Sequence, residues 1–305
     1  MIDPKIIVAI DTYDYEDAVA LLDQLNPELC KVKIGSVVFN ALGKDFLRLV
    51  DQRGFKIFLD LKLHDIPNTV HETILGFEGC SIELLTIHLS GGKKMITSAM
   101  AAAKIIKTKV IGVSVLTSLN DEDTTALFQS TTSDQVARLF KLASETGIDG
   151  IVCSPLELDL AANILSPEML KITPGIRDIS VSDDQSRTMT ANEAIKHGAS
   201  YLVIGRPISK ASNVAEALKY FDQSILYAVN YDNAIISGDS VYTKPLKKLP
   251  NRIFLLEENT FSESSFINIT GGMNNVIKRS NEIRVEPAQK QCHELLYLLR
   301  IYLKK

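Results

Sequence analysis

The sequence predicts a (β/α)8 barrel, a TIM-barrel fold, with a small C-terminal α/β appendage. Short runs rich in β-branched residues recur eight times, and a longer segment follows each of them. The runs are apolar on both faces, which is typical of parallel strands covered by helices. An open doubly wound sheet is the alternative on this pattern, although no GxGxxG motif opens a helix after the first run.

The elements follow one another regularly along the first 225 residues. Residues 15–25 and 134–146 show clear helical periodicity between strands. Because neighbouring parallel strands need a long crossover connection, eight such units in succession favour a closed barrel. The predicted strands are KIIVAID (5–11), CKVKIG (30–35), KIFLDLK (56–62), ELLTIHL (83–89), KVIGVSVL (109–116), GIVCS (150–154), LKITPGI (170–176) and YLVIGRPI (201–208).

Residues 226–305 form a predicted second unit after a barrel of residues 1–225. Basic residues outnumber acidic residues in this segment, whereas the first 225 residues are acidic overall. It contains its own apolar runs and ends in a helical pattern over residues 287–303. We expect a small α/β extension of unknown function that packs on the exterior of the barrel or extends an oligomer interface.

Composition argues against several classes of partner. A net charge of −4 and a hydrophobic content of 46% describe a globular protein that binds neither nucleic acid nor a membrane. No signal-peptide pattern and no apolar run of roughly 20 residues is present, so we expect a cytoplasmic protein. Cys30, Cys80, Cys153 and Cys292 lack the spacing of a zinc site, and we expect reduced thiols.

The stretch DLKLHDIPNTV (60–70) places opposed charges at the end of the third predicted strand. Strand alternation predicts that Asp60 and Lys62 share a face, and the carboxyl ends of barrel strands are where active sites are built. Lys33 and Asp11 end the second and first predicted strands. A lone Asp-x-Lys is more often a structural ion pair, but a partly buried array of four charges is costly, which favours a functional site.

These residues resemble the orotidine 5′-phosphate decarboxylase family, in its bacterial type. DLKLHDIPNT resembles the family signature, and VAID, KVKIG, HLSGG, VLTSL, TPGIR and IGRPI occur in the expected order between residues 5 and about 222. The resemblance implies a homodimeric barrel that converts orotidine 5′-phosphate to UMP, the last step of pyrimidine nucleotide synthesis, with neither metal nor organic cofactor. The residues after the barrel depart from the family pattern.

The resemblance also implies roles for the charged residues. Lys62 would stabilise and protonate the carbanion at C6, and Asp60 would lie against the substrate carboxylate. Lys33 would link Asp60 to the ribose hydroxyls, while Asp65 would reach into the partner subunit's site. By the same resemblance, the substrate-binding residues are Asp11, Lys33, Thr69, Thr117, Pro174, Arg177, Gln185, Gly205 and Arg206.

The phosphate end of the substrate is expected at the last two strands. Arg177 and Arg206 follow them, and a guanidinium can hold a phosphate with two parallel hydrogen bonds. The polar segment 178–187 resembles the family's phosphate-binding loop, with Gln185 as the contact. The five histidines, His64, His71, His88, His197 and His293, lack metal-ligand spacing and are expected to be structural.

Two other functions fit parts of this pattern. Magnesium-dependent barrel enzymes, 3-hexulose-6-phosphate synthase and 3-keto-L-gulonate-6-phosphate decarboxylase, share an Asp-x-Lys-x-x-Asp motif but would need a further carboxylate ligand. A catalytically silent barrel could act as a binding module through the C-terminal unit. The complete set of Lys33, Asp60, Lys62 and Asp65 argues against the silent barrel.

Overall fold

The structure is a computed structural model, which describes residues 3–177 and 188–236 together with the strand residues 252–253, 269–270, 276–279 and 282–285. Eight parallel strands close into a barrel, each paired with the next in sequence and the last paired with the first. The predicted (β/α)8 barrel is therefore confirmed.

Six of the eight barrel strands end earlier than the apolar runs predict, because the chain there turns into the βα loops, whereas β2 and β3 do not. The strands are β1 Ile6–Ile10, β2 Cys30–Gly35, β3 Ile57–Leu63, β4 Ile82–His88, β5 Lys109–Val113, β6 Gly150–Val152, β7 Leu170–Thr173 and β8 Tyr201–Ile204. Residues 114–116, 174–176 and 205–208, which the sequence pattern assigns to strands, lie beyond these ends.

Helices surround the barrel in the order expected. They are α1 Tyr15–Asp23, α2 Ser36–Gln52, α3 Pro67–Leu75, α4 Gly92–Ile106, α5 Asp121–Phe128, α6 Thr132–Thr146, α7 Leu158–Ile164, α8 Ala191–Lys196, α9 Arg206–Ser209 and α10 Val214–Ile236. Short 3-10 turns follow β4 and β6. Within the described residues, no helix combines the length and apolarity that crossing a bilayer requires.

The chain divides into two compact units, residues 1–229 and 230–305. The described strands of the second unit form two antiparallel pairs. One pairs β9 Arg252–Ile253 with β10 Ile269–Thr270, and the other pairs β11 Val276–Arg279 with β12 Glu282–Val285. The helical pattern predicted over residues 287–303, together with Cys292 and His293, lies outside the described residues. The function of this unit stays a prediction.

Side chains of the barrel strands separate into two apolar layers. One face of each strand packs under the surrounding helices, as Ile6, Val8 and Ile10 of β1 do. The other face fills the barrel lumen, so the barrel is a packed core and not a pore. The lumen cluster consists of Ile7, Ala9, Phe58, Leu84, Ile111, Ile172, Tyr201 and Val203.

A charged cluster lies at the amino-terminal end of this lumen. The Lys31 side chain is fully buried, and its Nζ lies 2.7 Å from Asp3 Oδ1 and 2.6 Å from Glu83 Oε2. The same Nζ lies 4.8 Å from the centroid of the Tyr201 ring. The sequence analysis did not identify this cluster, because its members come from four separate segments. Each charge in it has a partner, which is the condition for a stable buried ion pair.

Burial and hydrogen bonding act in opposite directions on Asp3. Partial burial raises its pKa, but hydrogen bonds from Lys31 and Tyr201 outweigh this effect and lower the pKa to about 2. Burial, together with the hydrogen bond to Asp3, raises the pKa of the Tyr201 hydroxyl. Asp3 therefore stays ionised over the whole neutral range.

The described cysteines are reduced and buried. Cys30, Cys80 and Cys153 are free thiols inside the barrel unit. Burial raises the pKa of Cys30 and of Cys153 to about 12, so both stay protonated at neutral pH and are unreactive. The prediction of reduced thiols agrees with the structure at these three positions.

Replacing Lys31 with Met tests whether the buried cluster supports the barrel. We expect Lys31→Met to lower the free energy of unfolding by roughly 3 kcal/mol, because it leaves two carboxylates without their buried partner. Lys56 offers a matched control, since its Nζ lies 3.2 Å from Asp3 and 3.5 Å from Glu83 but its side chain is 54% exposed. Lys56→Met should cost about 0.5 kcal/mol. Urea denaturation of both variants measures the difference, and equal losses would contradict the assignment.

Candidate active site

A β-bulge shapes the carboxyl end of β3. Leu59 lies opposite Leu85 of β4, and Leu63 lies opposite Ile87, so the three residues 60–62 face the single residue Thr86. The alternation from which the sequence analysis placed Asp60 and Lys62 on one face still holds, because Leu61 and Leu63 pack with Leu59 against the outer apolar layer while Asp60 and Lys62 contact each other. The bulge changes how this end of β3 lies against β4.

The Lys62 backbone adopts the left-handed conformation, with φ of 50°. A residue with a Cβ pays roughly 1 kcal/mol for this conformation, and such strain concentrates at functional sites. The result of the turn is that Lys62 Nζ lies 2.9 Å from each carboxylate oxygen of Asp60. A strained backbone thus places an ammonium against a carboxylate at the mouth of the barrel.

Four alternating charges lie in a row across the ends of β1, β2 and β3. Lys33 Nζ lies 3.3 Å from Asp11 Oδ1 and 3.6 Å from Asp60 Oδ2, and Asp60 continues the row to Lys62. Asp60 is 12% exposed and Lys62 is 37% exposed, while Asp11 reaches solvent. The predicted array is therefore present, with its inner members largely removed from water and its outer members accessible to a ligand.

Thr86 is the buried polar residue that the sequence analysis missed. Its hydroxyl accepts a hydrogen bond from the Lys62 backbone N–H (2.8 Å) and donates one to Asp60 Oδ1 (3.0 Å). The sequence contained a weak signal, since Thr86 is the single polar residue within the run LLTI. An isolated threonine in a strand has an ordinary explanation in β-propensity, so this signal alone could not identify a contact with the charged array.

Two glycines leave room around the array. A Cβ at Gly35, which ends β2, would lie 3.1 Å from Lys33 Nζ and would crowd the ammonium. A Cβ at Gly205, which follows β8, would lie 3.9 Å from Asp11 Oδ2. Gly205 was predicted at the phosphate end of the substrate, and the structure places it beside the Asp11 carboxylate, at the junction of β8 and β1.

Asp65 lies in the loop that follows β3, and Thr69 lies in the first turn of α3. Both side chains are exposed, and Asp65 Oδ1 accepts a hydrogen bond of 2.7 Å from the backbone N–H of Ile66. Pro67 begins α3, as the sequence analysis predicted from its tolerance at a first helical position. Ile66 between them is 67% exposed, which leaves an apolar side chain next to the carboxylate. The role of Asp65 across a subunit interface stays a prediction.

The predicted phosphate contacts follow neighbouring strands. Arg177 comes after β7 and is 7% exposed, and its Nη1 donates a hydrogen bond of 2.9 Å to the Ile176 carbonyl oxygen. Arg206 begins α9 after β8 and is exposed. Arg177 is thus buried and Arg206 is exposed, a difference that the sequence did not predict.

The remaining predicted contacts follow other strands of the barrel. Pro174 follows β7 and is half-buried, and Thr117 lies exposed in the loop between β5 and α5. Gln185 and the polar segment 178–187 lie outside the described residues. The structure therefore brings together Asp11, Lys33, Asp60, Lys62 and Gly205, and it leaves the phosphate loop as a prediction.

A histidine pair adjoins the array. His88 ends β4, and its ring centroid lies 5.3 Å from that of His64. Burial lowers the pKa of His88, and the nearby His64 and Lys62 lower it further, so its imidazole is neutral at pH 7. Among residues 3–177 and 188–236, no group of three or more His, Cys, Asp and Glu side chains could hold a metal ion.

Comparison with known proteins finds one family for the barrel. The family model described as "Orotidine 5′-phosphate decarboxylase / HUMPS family" matches residues 4–221. The orotidine 5′-phosphate decarboxylase of Vibrio campbellii is 40% identical over 230 residues, which cover 74% of this chain and 99% of the relative. That of Haemophilus influenzae strain 86-028NP is 42% identical over 229 residues, covering 72% and 98%.

A solved structure agrees with these relatives. The crystal structure of orotidine 5′-phosphate decarboxylase from Lactobacillus acidophilus superposes with a TM-score of 0.65 and 34% sequence identity. The superposition covers 73% of this chain and 99% of that chain. The family match ends at residue 221, before the second compact unit begins.

Substitutions at Lys62 test whether its backbone is strained. We expect Lys62→Gly to be more stable than Lys62→Ala by about 1 kcal/mol, because both lose the ammonium but only glycine adopts positive φ without cost. Lys109, at the exposed start of β5, is the control. There the order should reverse, since glycine in an ordinary strand is less stable than alanine. Guanidinium denaturation of the four variants gives both differences, and a more stable Lys62→Ala would refute the strain.

Proposed function

Because this chain belongs to the orotidine 5′-phosphate decarboxylase / HUMPS family, we propose that it removes CO2 from orotidine 5′-phosphate to give UMP, with Lys62 as the catalytic acid and with neither metal nor organic cofactor. The observation that carries the proposal is the Asp60 carboxylate, held between the Lys33 and Lys62 ammonium groups at the carboxyl end of the barrel. This is the end at which (β/α)8 enzymes carry out their chemistry.

The reaction explains why such an array is needed. When the bond from C6 to the carboxylate breaks, its electron pair stays on C6 in the plane of the pyrimidine ring, out of conjugation with the π system. No electron sink within the substrate stabilises this pair, so the protein must do so electrostatically. An ammonium beside C6 interacts more strongly with the developing carbanion than with the neutral carbon, which lowers the barrier.

Lys62 performs two steps in this proposal. Its ammonium first stabilises the electron pair on C6 and then transfers a proton from Nζ to that carbon, which completes UMP. The resulting neutral amine recovers a proton from solvent, to which the side chain is partly exposed. Asp60, with both oxygens 2.9 Å from Nζ, holds the ammonium at one place before substrate arrives.

Asp60 also opposes the substrate carboxylate. Two carboxylates in a largely desolvated site repel each other, and the repulsion disappears as CO2 leaves. Lys33 lies between Asp60 and Asp11, and the exposed Asp11 carboxylate is available to accept hydrogen bonds from the ribose hydroxyls. The row of charges would thus span the distance from the reacting carbon to the sugar.

The phosphate is assigned to Arg177, Arg206 and Gln185. The first two follow β7 and β8, the strands after which (β/α)8 barrels often bind phosphate. Arg206 is exposed, whereas Arg177 is buried and would have to exchange its hydrogen bond to the Ile176 carbonyl. Thr117 and Pro174 would line the pyrimidine side of the pocket.

A homodimer completes the site in this proposal. Asp65 and Thr69 are exposed beside the apolar side chain of Ile66, and both would extend toward the partner subunit's array. Burial of the exposed Ile66 side chain in the dimer would remove its apolar surface from water. Each site would then contain a carboxylate from the other chain.

Activity measurements on Lys62→Ala test the chemistry. We expect the wild type to consume orotidine 5′-phosphate in the presence of EDTA and Lys62→Ala to lose at least about a thousandfold in kcat, because both charge stabilisation and proton transfer are removed. Lys93→Ala, an exposed residue of α4, should keep full activity. Absorbance of the substrate follows the reaction. Turnover that EDTA abolishes, or a fully active Lys62→Ala, would contradict the mechanism.

Mixing two inactive variants tests the shared site. Lys62→Ala and Asp65→Ala homodimers should both be inactive, but a mixed dimer carries one site with both residues intact. At equal proportions about half of the dimers are mixed, so we expect recovery of about a quarter of the wild-type rate. If mixed samples stay inactive after subunit exchange has been verified by mass spectrometry, Asp65 does not act across the interface.

A further inference from the structure

Thr86 occupies an unusual position for a threonine. It lies in β4 with no solvent exposure, and the lumen residues on its strand and on the strands beside it include Leu84, Phe58 and Ile111. A buried hydroxyl is costly unless both its donor and its acceptor capacity are used. The hydrogen-bond partners of this hydroxyl therefore indicate the role of Thr86.

The direction of each hydrogen bond at Thr86 is determined by chemistry. An amide N–H can only donate, so the hydroxyl oxygen is the acceptor for the Lys62 backbone at 2.8 Å. A carboxylate can only accept, so the hydroxyl proton points at Asp60 Oδ1, 3.0 Å away. One hydroxyl group is thus oriented by, and in turn orients, two members of the charged array.

The bulge explains why a side chain is needed at this point. Between the pairs Leu59–Leu85 and Leu63–Ile87, the regular backbone ladder of β3 and β4 is interrupted. The Thr86 hydroxyl supplies an acceptor for the Lys62 N–H within this gap, where Lys62 has a φ of 50°. The side chain of β4 therefore supports the left-handed turn that aims the Lys62 ammonium.

We propose that Thr86 is a positioning residue for the decarboxylation. Through its one hydroxyl group it fixes the Asp60 carboxylate and the Lys62 backbone relative to each other. This role rests on the proposed function. Thr86 touches no substrate in this scheme. It limits the motion of the two groups that flank C6, so that the ammonium stays within reach of the carbanion.

Loss of the hydroxyl should affect catalysis more than substrate affinity. Without it, Asp60 Oδ1 keeps the Lys62 ammonium as a partner but loses its contact with the barrel wall. The carboxylate could then rotate toward Lys33, which is 3.6 Å from its other oxygen, and the ammonium would follow. Both partners of the Thr86 hydroxyl, the Lys62 N–H and Asp60 Oδ1, belong to the groups assigned to the reacting carbon, so the loss should fall mainly on the chemical step.

Three variants separate positioning from packing. Thr86→Val keeps the shape of the side chain but removes the hydroxyl, and Thr86→Ser keeps the hydroxyl. Thr108→Val is the matched control, since the Thr108 hydroxyl is also buried and donates a 2.8 Å hydrogen bond to the Ile82 carbonyl, outside the array. Stability of all three is measured by thermal unfolding, alongside kcat and KM for orotidine 5′-phosphate.

The expected pattern is a split between kcat and KM. Thr86→Val should lose about 10- to 100-fold in kcat, by analogy with the loss of a hydrogen-bond partner of a metal ligand, with KM within about threefold of wild type. Thr86→Ser should restore kcat, and Thr108→Val should lose stability without losing kcat. If Thr86→Val matches wild type in kcat, or if Thr86→Ser is as impaired as Thr86→Val, the proposal is overturned.

A second measurement needs no substrate. Hydrogen exchange of the Lys62 backbone N–H, followed by NMR, should be slow in the wild type and in Thr86→Ser but at least tenfold faster in Thr86→Val, because the acceptor is lost. Unchanged exchange in Thr86→Val would refute the positioning role even if the wild type is active. Inactivity of the folded wild type toward orotidine 5′-phosphate would instead refute the proposed function, whatever the exchange rates show.

Discussion

The contact between Asp60 and Lys62 is the interaction on which the site depends. A lysine on a flexible four-carbon stem has many conformations, and a catalytic proton donor needs one. Here the main chain turns at Lys62, and both carboxylate oxygens of Asp60 hold the ammonium. The strain of the turn and the cost of desolvating the pair are offset by the rest of the barrel, which is tightly packed beneath them.

Two charged clusters lie at opposite ends of one lumen, and they differ in their exposure to solvent. Lys31 and Lys33 are neighbours on the same face of β2, opposite Ile7 and Ala9 of β1. Lys31 is buried among Asp3, Glu83 and the Tyr201 ring, so its charge is neutralised by partners within the protein. The array around Lys33 opens to solvent through Asp11 and Lys62, which leaves charge available for a ligand.

The apolar layer between the clusters connects stability with function. Ile7, Phe58 and Leu84 fill the middle of the barrel and separate the sealed end from the open end. Since water cannot enter from below, the electrostatic interactions at the mouth act in a medium of lower dielectric than bulk solvent, where they are stronger. The packed lumen of a (β/α)8 barrel thus forms a rigid apolar layer, and charged groups above it are held at fixed distances from one another.

The sequence by itself determined the barrel and all four charged members of the array. Eight apolar runs with intervening helical segments specify parallel strands, and Asp11, Lys33, Asp60 and Lys62 follow from their places at the ends of those runs. These features are local, so a pattern along the chain reveals them. The family resemblance found in the same motifs agrees with the match over residues 4–221.

Tertiary structure alone decided how those residues are held. The bulge depends on the register between β3 and β4. Register is a property of two paired strands, so it cannot be read from the sequence of either strand alone. The same holds for Thr86, which becomes a partner of Asp60 only once β4 lies beside β3, and for Lys31, whose partners lie 28 and 52 residues away along the chain. Periodicity reports which face a side chain occupies, whereas a contact across the sheet requires the folded chain.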